Sequence, residues 1–342
     1  MNKTRVGIIN VTGYAGVELA RLLYRHPEVE LTSVTGRSAA GQKLGQVFPH
    51  LSETGLTIEA ELGEVDFAFS AMPHRESANE VIPLLKQGVK VVDISADFRL
   101  KEAREYSEWY GFAHPAPELL EQAVYGLPEL NRSPVASAQL VANPGCYPTG
   151  AILALAPAVK EGLIEPEIVV DSKSGVSGAG RTLSLPTHYP EVNEDVSAYA
   201  LSGHRHLPEI VQELGRLRPA WLPSVTFVPH LIPMTRGILS TCYAPLAGGS
   251  QGGEEKLQQL YRDFYRDEPF VRVVDSSPHT KHTSGNNLCL VYPAVDQRTG
   301  RLIVISCLDN LVKGAAGQAI QNMNLMLGIP ETTGLEAMSV YP

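Results

Sequence analysis

The sequence predicts an α/β protein of two parts: a Rossmann-type parallel sheet domain, then an α+β domain built on a largely antiparallel sheet. Three observations carry this. The first ~145 residues alternate short apolar strands with amphipathic helices, the rhythm of a parallel sheet. From about Glu167 strands dominate and few helices intervene, which suits antiparallel pairing. The chain has 342 residues, 44% apolar and 19% charged, enough for two full cores.

In chain order the strand candidates of the first part are Val6 to Ile9, Leu31 to Val34, Phe67 to Ser70, Val89 to Val92 and Leu140 to Ala142. Helices are expected over Val17 to Arg25, with Leu19, Leu22 and Leu23 on one face, and over Ser77 to Lys86. After Cys146 the run Ile152 to Ala156 reads as a buried helix. The second part offers strands at Ile168 to Val170, Val225 to Val228, Ile238 to Ala244, Leu288 to Tyr292 and Leu302 to Cys307. Helices follow His206, carrying Ile210, Val211 and Leu214, and span Glu254 to Tyr265 and Val312 to Leu327. The segment Gly248 to Gly253 reads as a flexible surface loop.

A net charge of −9 argues against a nucleic-acid groove or an anionic membrane surface as the main partner. Small anions remain open, because arginines and helix N-termini bind phosphate inside acidic proteins. The start runs straight into a strand with no apolar signal core, and no apolar run reaches the length of a membrane span. The four cysteines (Cys146, Cys242, Cys289, Cys307) form no C-x-x-C pair and no metal-type spacing with histidine. Free thiols in the cytoplasm, with no metal, are the expected setting.

After the first strand comes Asn10-Val11-Thr12-Gly13-Tyr14-Ala15-Gly16, a glycine turn leading into a helix, with Asn10 where a first glycine would stand. Strand, turn and helix N-terminus in that order form a dinucleotide-binding context. Gly13 lets the backbone approach a pyrophosphate, Gly16 lets the helix approach the sheet, and Asn tolerates left-handed angles well enough to keep the turn. Thr12, Tyr14 and Ala15 complete this turn. At the end of the second strand, Arg37 and Ser38 stand where an NAD site usually has an acid. A cation and a hydroxyl there fit the 2′-phosphate of NADP(H), although Arg37 also reads as an ordinary solvated charge.

Asn143-Pro144-Gly145-Cys146-Tyr147-Pro148-Thr149 puts a cysteine at a helix N-terminus after a Pro-Gly turn. The dipole and the N–H groups there favour a thiolate, whereas a free Cys elsewhere is usually a small core residue. Lys173, Ser177, Gly178 and Arg181 lie in a small-residue loop after a strand, suited to holding an anion. His204 and His206 flank Arg205 at a helix start, where one of them could exchange protons. Arg99 follows the C-terminal end of a parallel strand and is a phosphate candidate, or an ion-pair partner of Asp97 or Glu102.

Gly13-Tyr14-Ala15-Gly16, Ser95 to Arg99, Tyr125 to Glu129, Asn143 to Thr149, His204-Arg205-His206 and Asp309 to Gln318 occur together and in order. Jointly they resemble the N-acetyl-gamma-glutamyl-phosphate reductases of arginine biosynthesis, over essentially the whole chain. The resemblance implies an NADPH-dependent reduction of an acyl phosphate to a semialdehyde and phosphate through a cysteine thioester. It implies Cys146 as nucleophile and one of His204 and His206 as acid–base. The segment from Asp309, with Asn310, would lie against the cofactor, and its helix would return to the first domain. That sets the domains at 1–146 with 311–342 for NADP and at 147–310 for catalysis and dimerisation. A homo-oligomer, dimer or tetramer, is expected. Asn10 departs from the family's glycine. Aspartate-semialdehyde dehydrogenase and the carrier-linked glutamyl or aminoadipyl phosphate reductases share the chemistry. The Asn-Pro-Gly-Cys-Tyr-Pro and Ser-Gly-Ala-Gly-Arg strings favour the N-acetyl-glutamyl enzymes, and the intact set of Cys, His and cations argues against a silent NADP-binding regulator.

Overall fold

In the computed structural model, which describes residues 3–248 and 253–341, the chain divides into two units. One runs up to Pro144 and takes in Ala315–Ala337; the other is Gly145–Gly314 with the residues from Met338. The sequence puts the crossings after Cys146 and before Leu311; the units cross after Pro144 and after Gly314. Of the flexible loop expected at Gly248 to Gly253, residues 249–252 lie outside the described residues.

The first unit is a sheet of Thr4–Ile9 (β1), Val29–Thr35 (β2), Ile58–Glu59 (β3), Phe67–Ser70 (β4), Lys90–Asp93 (β5), Val124–Tyr125 (β6) and Leu140–Ala142 (β7). Their order is β3-β2-β1-β4-β5-β7-β6 and every pairing is parallel. Parallel strands are covered on both faces, which is why Phe67, Ala68 and Phe69 are fully buried in succession. The two-residue strands β3 and β6 were too short to leave a periodic signal. Helix Tyr14–Leu23 (α1) starts three residues before the expected Val17, because Gly13 serves as its N-cap. Helix Ser77–Lys86 (α2) matches its expected span, and Pro128–Ser137 (α3) follows β6.

The carboxyl ends of β4 and β5 are fixed by two buried aspartates. Asp93 accepts from Ser77 Oγ (2.6 Å), Ser95 N (3.0 Å) and Ser95 Oγ (2.7 Å). Asp97 accepts from the backbone N–H groups of Arg75 (2.7 Å) and Ala78 (3.0 Å), so it shapes the turn that starts α2. Arg75 holds a left-handed φ of 75° in that turn. Asn143, at the end of β7, is fully buried and donates from Nδ2 to the Ala315 carbonyl, while its own carbonyl takes Arg99 Nε.

The second unit has a mixed sheet of Glu167–Gly175 (β8), Ser197–Ala198 (β9), Ser224–Ile232 (β10), Ile238–Pro245 (β11), Val271–Val273 (β12), Cys289–Asp296 (β13) and Arg301–Leu308 (β14). The order is β12-β13-β14-β11-β8-β10-β9; β8/β10 and β12/β13 are parallel and the other pairs antiparallel. One face carries helices Cys146–Lys160 (α4), Leu207–Leu217 (α5) and Glu254–Phe264 (α6). On α5 Ile210 and Leu214 are buried, as expected, but Val211 is not, and Pro208, Glu209 and Glu213 complete the buried face. The long helix expected from Val312 begins as a π turn, Val312–Ala316, before the α-helix Gly317–Met326 (α7). Among the described residues no helix is long and apolar enough to cross a membrane.

Burial and the neighbouring Asp97 charge push Asp93 up to about 6. The folded chain therefore keeps a proton that the unfolded chain has lost, so this group's contribution to stability grows as pH falls from about 6 toward 4. Asp93→Asn keeps an acceptor for Ser95 and removes the charge. Its melting temperature should rise relative to wild type at pH 7 and converge with it near pH 4, measured by thermal melts across that range. A difference from wild type that stays constant with pH would refute the assignment.

Candidate active site

The second unit gathers one cluster around Cys146. Cys146 is the first residue of α4, Gly145 is its N-cap, and the half-exposed sulfur carrier sits at the positive end of the helix dipole. Pro148 falls in the first turn, where a missing N–H costs nothing. Glu209, fully buried in the first turn of α5, accepts the Gly145 N–H at 2.7 Å and so ties the two helix starts together. An acid in a first helical turn is ordinary, and nothing in the sequence marked Glu209.

The turn from Asp309 to Gly314 closes the cluster. Asp309 Oδ1 takes the N–H groups of Leu311 (2.8 Å) and Val312 (3.1 Å), and its Oδ2 takes Gly285 N (2.8 Å). Gly314 passes so close that a Cβ there would lie 2.9 Å from Cys146 Cβ. Asn310 accepts Gly237 N (2.8 Å) and donates to Ser177 Oγ (3.0 Å), holding the loop that carries Ser177 and Gly178. The same loop is held by Val176 N to the Met234 carbonyl (2.9 Å) and Ser177 N to the Thr235 carbonyl (3.1 Å). Arg236, between those anchors, has Nη1 3.7 Å from Asp309 Oδ2; the sequence reading passed over this cation.

His204 and His206 are brought together, ring centroids 4.8 Å apart, beside Tyr147. They differ in kind. The His204 ring is walled by Tyr147, Tyr199 and Phe227, and its Nδ1 accepts the His206 N–H at 3.0 Å. Burial, with the Arg205 charge beside it, pulls His204 down to about 4, so it is neutral at pH 7. His206 is the N-cap of α5 and half-buried. Tyr147 and Tyr199 share a hydroxyl contact of 3.1 Å, and burial pushes Tyr199 up to about 12.

Lys173 does not join the cluster. Ser172, Ser240 and Ser306 lie in one row of the sheet, and Ser306 Oγ donates to the Gly150 carbonyl of α4 (2.9 Å). Lys173, one residue on, therefore points to the opposite face, where it pairs with Asp171 (2.9 Å) beside His230. Arg181 is exposed. Arg99 lies in the first unit, 6% exposed, with Nε on the Asn143 carbonyl and Nη2 on the Ile94 carbonyl, both 2.8 Å. Two of its donors thus brace the ends of β5 and β7.

The first unit holds the dinucleotide turn. Asn10 has a φ of 64°, so it takes the left-handed angle a glycine would. Its Nδ2 donates to the Ala71 carbonyl (2.9 Å), and Thr12 Oγ1 donates to its Oδ1 (3.3 Å). A Cβ on Gly16 would lie 2.5 Å from the Asn10 carbonyl, whereas one on Gly13 meets nothing nearer than 3.9 Å. Gly16 serves close packing and Gly13 leaves open space over the turn. Tyr14 and Ala15 open α1, with Tyr14 at the surface. Beside the turn, a cleft of about 730 Å³ is lined by Asn10, Thr35, Gly36, Arg37 and Ser38 among others.

Residues 5–138 match the family model described as semialdehyde dehydrogenase, NAD binding domain, and residues 146–310 match semialdehyde dehydrogenase, dimerisation domain. The chain belongs to the semialdehyde dehydrogenase family. It is 60% identical over 343 residues to the N-acetyl-gamma-glutamyl-phosphate reductase of Dehalococcoides mccartyi strain CBDB1, covering 100% of each chain. It is 52% identical to the reductase of that name from Pelotomaculum thermopropionicum, covering 99% of each. Within the family it therefore stands with the N-acetyl-gamma-glutamyl-phosphate reductases. Among solved structures it resembles aspartate semialdehyde dehydrogenase II of Vibrio cholerae complexed with ASA, at a TM-score of 0.72 and 16% identity, covering 96% of this chain and 99% of that one. The aspartate semialdehyde dehydrogenase of Candida albicans with NADP gives 0.70 and 16%, covering 95% and 99%. At that identity these two speak for the fold alone.

The clearance at Cys146 can be tested directly. Gly314→Ala should lower kcat at least about tenfold and change the rate of Cys146 alkylation, with circular dichroism unchanged, because the new methyl displaces the Cys146 side chain. Wild-type turnover and alkylation would show that the site tolerates the shift.

Proposed function

We propose that this chain reduces N-acetyl-γ-glutamyl phosphate to N-acetylglutamate semialdehyde and phosphate with NADPH, through a thioester on Cys146. The single observation that carries the reading is Cys146 at the α4 N-terminus, clamped by Gly314 and by the Glu209–Gly145 bond, with two histidines packed on the adjoining Tyr147. The 60% identity to a reductase of that name supports the choice of acyl group.

The cofactor fits the first unit by its donors and its space: the open backbone at Gly13, the cleft, and a cation with a hydroxyl at the end of β2. Arg37 and Ser38 would hold the 2′-phosphate and the Thr12–Gly16 turn the pyrophosphate. When bound, NADPH supplies the hydride.

The steps by this chain's residues are as follows. The Cys146 sulfur adds to the acyl carbon, and the C–O bond to phosphate breaks to leave the thioester. His206 takes the thiol proton and passes it to the departing phosphate. His204, neutral and packed among aromatic rings, positions His206 and Tyr147. After reduction the thiohemiacetal oxyanion collapses, the C–S bond breaks, and the thiolate returns to the dipole at the helix start. Arg236, with Ser177 and Gly178 in the loop held by Asn310, is a better anion site than Lys173, which faces away from α4.

We infer a homo-oligomer formed through the sheet face opposite the helices. There Tyr243 lies in register between Val169 and Ile303, and Ile305 beside Tyr292, all half-buried in a single chain. The match to a dimerisation domain supports this, and the four free thiols suit the cytoplasm.

Mixing the enzyme with acyl phosphate and no NADPH should load one acyl group on the Cys146 peptide, read by mass spectrometry. Cys146→Ser should bind NADPH but lose reduction; a fully active serine variant ends the mechanism. Phosphate-dependent NADP+ reduction should be fastest with N-acetylglutamate semialdehyde, ahead of free glutamate and aspartate semialdehydes. His206→Asn should lose turnover roughly a hundredfold or more, and His204→Asn much less. The reverse order would exchange their roles.

A further inference from the structure

Arg37 is engaged on both sides. Its Nη1 lies 2.6 Å from Glu76 Oε2 and its Nη2 3.3 Å from Glu80 Oε1. Glu76 is the residue before α2 and Glu80 lies in its first turn, so one helix start presents both carboxylates. Among the described residues lining the cleft, Arg37 is the one cation, set against Glu61, Glu76 and Glu80. All three partners of the ion-pair set are exposed enough to move: side-chain exposure is 70% for Arg37 and 45% and 44% for the glutamates.

A guanidinium binds phosphate best when its fork is open to two oxygens. Here the fork is already given to carboxylates. A phosphomonoester with a charge of about −1.5 to −2 must displace at least one of them and then stand beside both. A ribose 2′-hydroxyl meets the opposite situation, since a carboxylate accepts its hydrogen bond.

We propose that Glu76 and Glu80 set the cofactor preference of this site by competing with the 2′-phosphate for Arg37. They hold NADPH affinity below what Arg37 alone would give and leave NADH affinity intact or improved. The proposal rests on reading Arg37 as the 2′-phosphate partner. It makes the start of α2, more than 35 residues beyond Arg37 in the chain, a specificity element. It also predicts a particular salt response, because the competing charges are exposed and screened within about 10 Å at 0.1 M salt.

The test is a double-mutant cycle on cofactor binding, read as dissociation constants for NADPH and NADH by calorimetry or nucleotide fluorescence. Glu76→Gln with Glu80→Gln should tighten NADPH about three- to tenfold at low salt and leave NADH unchanged or weaker. The gain should shrink at high salt and vanish in the Arg37→Ala background. Unchanged or weaker NADPH binding in the double variant overturns the proposal, since the glutamates would then be orienting Arg37 rather than opposing its ligand. Equal tightening of both cofactors, or a gain that survives Arg37→Ala, overturns it as well, because competition for Arg37 would play no part. Arg37→Ala alone separates this from the underlying reading. If that variant binds NADPH as wild type does, Arg37 is not the phosphate partner and it is the earlier assignment that fails.

Discussion

The contact between Cys146 and Gly314 governs the second unit's site. The proposed thiolate chemistry needs the helix start, the histidines and the Ser177 loop in one geometry, and the Asp309–Gly314 turn supports the first and the last of these. Asp309 caps that turn from within, Asn310 carries its position to the Ser177 loop, and Gly314 lets it touch Cys146 without a side chain between. Glu209 does the same from the other side through Gly145. Glu209 and Asp309 both accept backbone N–H groups, so these supports are set before any ligand arrives.

Much of the fold was legible because its signals are local. The βα alternation located the five longer strands of the first sheet, and the position of Asn10 announced a left-handed turn that the backbone in fact adopts at 64°. What failed did so for reasons of scale or phase. The start of α1 was set too late because the glycine turn itself caps the helix. The orientation of Lys173 was hidden because Ile168, Val169 and Val170 are all apolar, so alternation gives no phase, and Asp171 to Ser174 are all polar. Only the row Ser172–Ser240–Ser306 beneath α4 settles it.

The site was legible in its chemistry and not in its supports. Cys146 and the two histidines stood out as residue types at helix starts. Glu209 and Arg236 did not, since an acid in a first turn and an arginine in a loop are common. The difference between the histidines arises from aromatic walls contributed by Tyr147, Tyr199 and Phe227, which only the tertiary fold assembles. The carboxylates on Arg37 come from a separate helix and leave no pattern near it.

The π turn at Val312–Ala316 has an evolutionary consequence. Such a turn carries one residue more than an α-helical turn, a change of about 100° in the phase of the side chains it presents. Deleting a single residue there would restore a regular α-helical turn and swing Gly314 off Cys146. Chain length between Asp309 and Gly317 is therefore fixed as tightly as the identities of Asp309, Asn310 and Gly314. A gain or loss of one codon in that stretch separates Cys146 from its support even where every side chain is kept.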